Sequence, residues 1–203
     1  MNPELFGAFL LVTFLLMITP GPIVTLVIAT GATRGVRAAL TTVAGTVAGN
    51  ALLIAAIAFG LTWVLNSSAL LFEVIRWAGA AYLVWLGVQL WRNAGRGSDG
   101  GLPKQVHFWR GFMVALSNPK TAAFFTAFLP QFVDPALPAD RQLVVMCAVS
   151  VGLAAITDSC WAMLSGFGRS WFIRPGRVKI LERLSGTALI GGGIWLSLMR
   201  RPA

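Results

Sequence analysis

The stretch Leu15-Leu16-Met17-Ile18-Thr19-Pro20-Gly21-Pro22-Ile23-Val24 decides how this chain is read. An apolar run of membrane length is broken near its middle by two prolines beside polar residues. A second break, Ser117-Asn118-Pro119-Lys120, follows about a hundred residues later in another apolar run. Proline has no N–H, and its ring clashes with the carbonyl four residues back, so each break frees backbone polar groups. In a bilayer such groups are tolerated only where protein or a wet cavity takes them up. Paired interruptions at corresponding places in two halves point to the binding site of a transporter.

Composition sets the surroundings of these breaks. Of 203 residues, 57% are hydrophobic and 11% charged, against roughly 25% charged in soluble proteins. With several apolar runs of ~20 residues, this predicts an all-α integral membrane protein. The net charge of +9 invites a nucleic-acid reading. The basic residues, however, fall in short loops between apolar spans, as the positive-inside rule requires, so no nucleic-acid partner is expected. The start Met1-Asn2-Pro3-Glu4 lacks the basic n-region of a signal peptide, and the apolar run passes Pro20 without an A-x-A-like cleavage site. Cys147 and Cys160 fall in one predicted helix, ~20 Å apart along it, which excludes a bridge between them. They are expected to be buried apolar thiols.

Six spans are predicted, near Leu5–Thr30, Ala38–Leu65, Leu70–Trp91, Gly111–Val133, Gln142–Gly168 and Arg183–Met199. The linker Asn93–Lys104, rich in Gly, Arg and Asp, separates two sets of three. The expectation is one transporter domain over 1–203, with repeat one at 1–92, a linker at 93–110 and repeat two at 111–203. Arg34 and Arg37 mark the first loop, and Arg92, Arg96, Lys104 and Arg110 the third. Arg169, Arg174, Arg177, Lys179 and Arg183 mark the fifth. The second loop (Asn66–Ala69) has no basic residue, and the fourth has Arg141 alone. The odd loops are therefore expected in the cytoplasm and both termini outside, with Arg200 and Arg201 weakly opposing the trend. Trp63, Trp91, Trp109 and Trp171 lie at predicted span ends, where indoles anchor at the headgroups.

Three spans per half means that the second half inserts inverted. Pro20 corresponds to Pro119, Asn50 to Asp158, and Ala58-Phe59-Gly60 to Gly166-Phe167-Gly168. The third helix, Arg76-Trp77-Ala78-Gly79-Ala80-Ala81, corresponds to Arg183-Leu184-Ser185-Gly186-Thr187-Ala188. Polar and helix-breaking positions align together, which supports a 3+3 inverted-topology repeat with broken helices 1 and 4.

At ~1.5 Å per residue, both breaks, Asn50 and Asp158 fall at similar depth, near or slightly inside the midplane. They are expected to converge on one polar pocket. Pro20 frees the carbonyl of Leu16, Pro22 that of Ile18 and Pro119 that of Ala115; such carbonyls accept from an ammonium group. Half-helices starting at Pro22 or Pro119 present N–H groups and partial positive charge to a carboxylate. Gly21 leaves room for a ligand against the backbone. A zwitterionic amino acid matches this set of donors and acceptors. The expected substrate-binding residues are Thr19, Pro20, Gly21, Pro22, Asn50, Asn118, Pro119 and Lys120.

Asp158 is the only acidic residue deep in a predicted span. A charge there costs at least ~2.5–3.5 kcal/mol, so it marks function by default. It is the expected proton-coupling residue or ammonium ligand, with a static pair to Lys120 as the structural alternative. Thr157 and Ser159 flank it and would extend a polar network. Lys120 binds a carboxylate or snorkels toward the cytoplasm. Asn50 reads first as an interhelical hydrogen-bond link and only second as a ligand. Glu73 and Arg76 read as an interfacial pair, and Gly45-x-x-x-Gly49 as a close-packing motif.

Nothing points to an enzyme. His107 is the only histidine and is expected in a loop, so neither a His-based metal site nor a Ser-His-Asp triad can be assembled. No phosphate loop of the G-x-x-x-x-G-K-[ST] type occurs. No cofactor and no metal is expected.

These residues resemble a known family. Thr19-Pro20-Gly21-Pro22 and the following Gly31-Ala32-Thr33-Arg34-Gly35 look like signatures of the LysE/RhtB amino-acid exporters. So do the third helix, with Arg76, Gly79, Tyr82, Leu83 and Gly87, and the segment Asn118-Pro119-Lys120 through Phe124-Phe125 to Leu129-Pro130-Gln131-Phe132. The resemblance spans nearly the whole chain. It implies a six-helix 3+3 inverted fold in a bacterial inner membrane and amino-acid export linked to the proton motive force. It places function at Pro20, Gly21, Pro22, Asn118, Pro119, Lys120 and Asp158. The expected partners are an amino-acid substrate, protons and membrane lipid, with a homodimer admitted. A membrane thiol–disulfide carrier, a non-transporting scaffold and a heavy-metal exporter are the alternatives. The first needs cysteines at the breaks, the second indifference to loss of Asp158 and Lys120, and the third soft ligands, which are scarce in this chain.

Overall fold

The computed structural model describes residues 2–67, 69–94, 107–168 and 175–198. Most of the predicted linker, Trp171 and the basic residues Arg96, Lys104, Arg169, Arg174, Arg200 and Arg201 lie outside them. So do the side chains of Trp63, Arg76 and Arg177, and with Arg76 the predicted Glu73–Arg76 pair.

Every regular element among the described residues is helical. Helix α1 (Pro3–Ile18) starts under an Asn2 cap, whose Oδ1 accepts from the Glu4 and Leu5 N–H groups. It stops at Ile18 because the residues before a proline are driven to extended backbone, as Thr19 is at ψ 119°. Helix α2 (Pro22–Arg34) resumes at an N1 proline and ends at Gly35, whose φ of 88° is the left-handed conformation that a glycine accepts most readily. The two segments are bent by 46°. Helices α3 (Val36–Ser67) and α4 (Ala69–Asn93) follow. The second apolar run divides into α5 (His107–Leu116) and α6 (Pro119–Phe128). Helices α7 (Ala139–Phe167) and α8 (Pro175–Leu198) complete the chain.

Several expected boundaries move. The fourth predicted span ends at Phe128 rather than Val133, because Pro130 turns the next four residues into a 3₁₀ turn (Leu129–Phe132). His107, expected in a loop, opens α5, where the helix is held by the approach of Phe108 to α3. The last helix begins at Pro175, an N1 proline, so Arg183 lies two turns inside it. Its guanidinium carbon is 4.6 Å from the centre of the Trp91 ring. Trp91 and Trp109 are both exposed. Cys147 is half-buried and Cys160 exposed, against the expectation of two buried thiols. Thirteen residues at 3.6 per turn set the two on different faces of α7.

Two helices among the described residues, α3 over Val36–Gly60 and α7, are each long and apolar enough to cross a membrane. The bent pair α1–α2 makes a third if it counts as one span.

Helix α3 is the hub, packing on α2, α5, α6 and α7, while α4 lies along α8. Close approach rests on missing side chains. A Cβ on Gly45 would overlap the Phe108 carbonyl, and one on Gly111 would overlap the Thr42 carbonyl, so α3 and α5 touch backbone to backbone. Two apolar clusters result. One gathers Phe9, Ile54, Leu83, Phe125, Phe128 and Met146, from α1, α3, α4, α6 and α7. The other gathers Ile23, Val27, Ala39, Val43, Ala115 and Ala162, from α2, α3, α5 and α7. The breaks lie where these clusters meet.

Candidate functional site

At that junction is a small polar pocket, about 20 Å³ in volume, lined by both breaks and by α3 and α7. Thr19, Gly21, Asn50, Asn118, Lys120 and Asp158 all line it. As it stands it has room for about one water.

Lys120 is the second residue of α6 and 7% exposed. Its Nζ donates to the Leu16 carbonyl at 2.9 Å and to the Thr19 carbonyl at 2.6 Å. Pro20 explains the first acceptor, since it cannot supply the N–H that Leu16 would receive in a continuous helix. The lysine stem passes Gly21 so closely that a Cβ there would lie 3.0 Å from Cδ. Lys120 therefore does not snorkel; it is pinned to the first break. An ammonium has three N–H groups, and these two contacts leave one for a ligand.

Asp158 is 4% exposed and accepts from the Thr46 hydroxyl at 3.1 Å through Oδ2. Among the described residues, no direct ion pair joins it to Lys120, so the static pair is not formed. Asn50, one turn beyond Thr46 on α3, is 1% exposed, and its Oδ1 is buried without a hydrogen-bond partner. It does not act as the expected interhelical link through that oxygen. A buried, unpartnered acceptor is costly in a folded protein and is a mark of a site that receives a donor from elsewhere.

The amide of Asn118 is committed locally. Its Oδ1 accepts from the Lys120 N–H at 3.1 Å and its Nδ2 donates to the Thr121 hydroxyl at 2.8 Å, capping α6. Helix α2 has no side-chain cap, and its first-turn residues Ile23 and Val24 line the pocket.

The prolines behave differently from expectation. Pro20 is buried without lining the pocket. Pro22 and Pro119 line a separate open groove of about 300 Å³, with Met113 and Ser117. They shape the breaks, and Asn118 borders both this groove and the polar pocket. Two freed carbonyls are also already engaged: Leu16 by Lys120, and Ala115 by the Asn118 N–H at 3.1 Å. The Thr157 hydroxyl donates to Leu153 and Ala154 of its own helix rather than extending the network.

Sequence reading missed Thr46 and Thr121. A signal for Thr46 was present, because it is four residues before Asn50 and so on the same face of one helix. Also unforeseen is a larger apolar chamber of about 490 Å³, which shares Leu16, Thr19 and Lys120 with the polar pocket.

Comparison with known proteins agrees with a membrane translocator. The chain is 31% identical to the homoserine/homoserine lactone efflux protein of Salmonella typhimurium, over 98% of this chain and 99% of that one. It is 27% identical to the leucine efflux protein of Enterobacter sp., over 92% and 89%. It is 32% identical to the cysteine/O-acetylserine efflux protein of Escherichia coli O1:K1 / APEC, over 87% and 90%. No solved structure matches. Residues 14–200 match the family model of LysE type translocators, and the chain belongs to that family.

Proposed function

We propose that this chain is a secondary active exporter of amino acids or closely related small metabolites, driven by the proton motive force, and not an enzyme. The observation that carries the reading is a buried cation and a buried anion in one pocket that do not pair with each other. Each keeps capacity for a third party: Lys120 one N–H, Asp158 its second oxygen, with Asn50 Oδ1 beside them. A zwitterion completes both, carboxylate toward Lys120 and the uncapped start of α2, ammonium toward Asp158 and Asn50. Thr19, Gly21 and Asn118 hold this frame, and Pro20, Pro22 and Pro119 create it by breaking the helices.

Six spans in a 3+3 inverted repeat, forming one domain over 1–203 in a bacterial inner membrane with both termini outside, fit this role. Where α4 lies along α8, a Cβ on Gly87 or on Gly186 would lie 2.5 Å from the other's carbonyl oxygen, so the two backbones touch there. In this reading the repeats rock about the bound substrate, and Asp158 carries the coupling proton.

The test is flux of labelled amino acids in reconstituted vesicles under an imposed pH gradient. Asp158→Asn keeps the shape and an acceptor for Thr46, and is expected to fold normally and to abolish gradient-driven flux. Normal gradient-driven flux in that variant would refute the coupling role.

A further inference from the structure

The polar pocket is too small for a whole amino acid, and an apolar chamber beside it shares Leu16, Thr19 and Lys120 with it. The chamber, at about 490 Å³, is within the ~300–1,000 Å³ usual for ligand sites. Its deep wall is buried: Leu83 is 1% exposed, Phe124 4%, Phe128 1% and Leu189 5%. Three rings form a continuous stack along it. Phe124 and Phe128 lie 4.7 Å apart at 13°, and Phe128 and Trp195 5.6 Å apart at 24°. At one end are Lys120 and Thr19, the residues that also line the polar pocket. One lysine thus borders both a charged pocket and an apolar chamber.

We infer that the chamber is the side-chain subsite, and that the preferred cargo is an amino acid with a large apolar or aromatic side chain. This rests on the exporter reading above. The carboxylate meets the remaining N–H of Lys120, and the side chain runs from there along the Phe124–Phe128–Trp195 stack. Apolar side chains lose water on entering such a chamber, whereas a hydroxyl finds only the Thr19–Lys120 end to bond. Charge complementarity at Lys120 selects this occupant over a neutral acyl chain, which has nothing to offer a buried ammonium.

Gly192 offers a direct test. A Cβ there meets only the Phe128 ring, at 3.9 Å, so a side chain at this position enters the chamber without touching backbone. Replacing a mid-helix glycine also favours the helix. Counterflow of labelled leucine, phenylalanine, alanine and serine is measured in vesicles holding the native protein or Gly192→Leu. The native protein is expected to favour leucine and phenylalanine over serine by about tenfold or more. Gly192→Leu is expected to erase that preference while alanine and serine still move. Equal or better transport of serine by the native protein, with ratios unchanged in Gly192→Leu, would overturn the subsite and leave the exporter reading standing. Absence of flux for all four amino acids in the native protein overturns both. Native mass spectrometry supplies a second readout. A retained lipid that Gly192→Leu expels, with amino-acid ratios unchanged, assigns the chamber to lipid and likewise overturns the proposal.

Discussion

The two breaks look alike in sequence and differ in what they contribute. Both have a proline at the first position of the resuming helix. At the second, Asn118 caps α6 with its own side chain, so that break is closed by itself and exports only a long cation. At the first, α2 has no side-chain cap, Gly21 supplies no side chain, and among the described residues the side-chain donor to the carbonyls of Leu16 and Thr19 is Lys120, 104 and 101 residues further along the chain. One break is a donor held rigid, and the other an acceptor completed in trans. The lesson is that a broken helix becomes a site through its partner, because backbone groups freed inside a bilayer cannot wait for water.

The sharpest way to break this asymmetry is Lys120→Met. It strips Leu16 and Thr19 of their donor and leaves Asp158 the lone charge in the pocket. Truncating one member of a buried, hydrogen-bonded charge set costs ~2–5 kcal/mol, so substrate affinity in a thermal-shift titration should fall at least about thirtyfold. Gly21→Ala is the next. Gly21 has φ −144° and ψ −166°, extended backbone that any residue adopts, so the substitution acts through the lysine. The added methyl displaces Lys120 from its acceptors, and binding should weaken by about tenfold while the fold is kept. Asn118→Ala removes the cap of α6 and should cost ~1 kcal/mol of stability, read as a lower melting temperature, with a smaller effect on transport. Thr46→Val leaves Asp158 without its hydroxyl donor and should change apparent affinity only a few-fold, since a single such bond is worth ~1 kcal/mol net. If Asn118→Ala damaged transport more than Gly21→Ala does, the division into self-closed and completed breaks would be wrong.

Topology offers a separate refinement. Both termini are expected outside, and a C-terminal reporter active only in the cytoplasm would overturn that orientation.

The breaks, the burial of Asp158 and the place of Lys120 beside Pro119 are legible in the chain because each is a rare event on an apolar background. Proline, glycine and charge are conspicuous where nearly every neighbour is Leu, Val, Ala or Phe. The rotation of each helix is not legible. Helices α2, α6 and α7 carry only a weak apolar stripe, so little marks the face turned to the pocket. This is why Pro22 and Pro119 were expected among the ligands and instead line an outer groove, and why Thr157 was expected to join Asp158. It is also why the chamber beside Lys120 had no sequence signature: Val12, Phe128 and Trp195 are ordinary apolar residues until α1, α6 and α8 are set side by side.

What the sequence by itself determined is therefore local. It dictated apolar helices, where two of them must break, and which buried groups would need a partner, because backbone chemistry and the cost of burying charge act within a few residues. Only the tertiary structure decided who meets whom: Lys120 with the Leu16 and Thr19 carbonyls, Thr46 with Asp158, and Asn50 Oδ1 with no partner. Those pairings depend on helix rotation and on backbone approach at glycines such as Gly45 and Gly111. Packing between segments far apart in the chain fixes both.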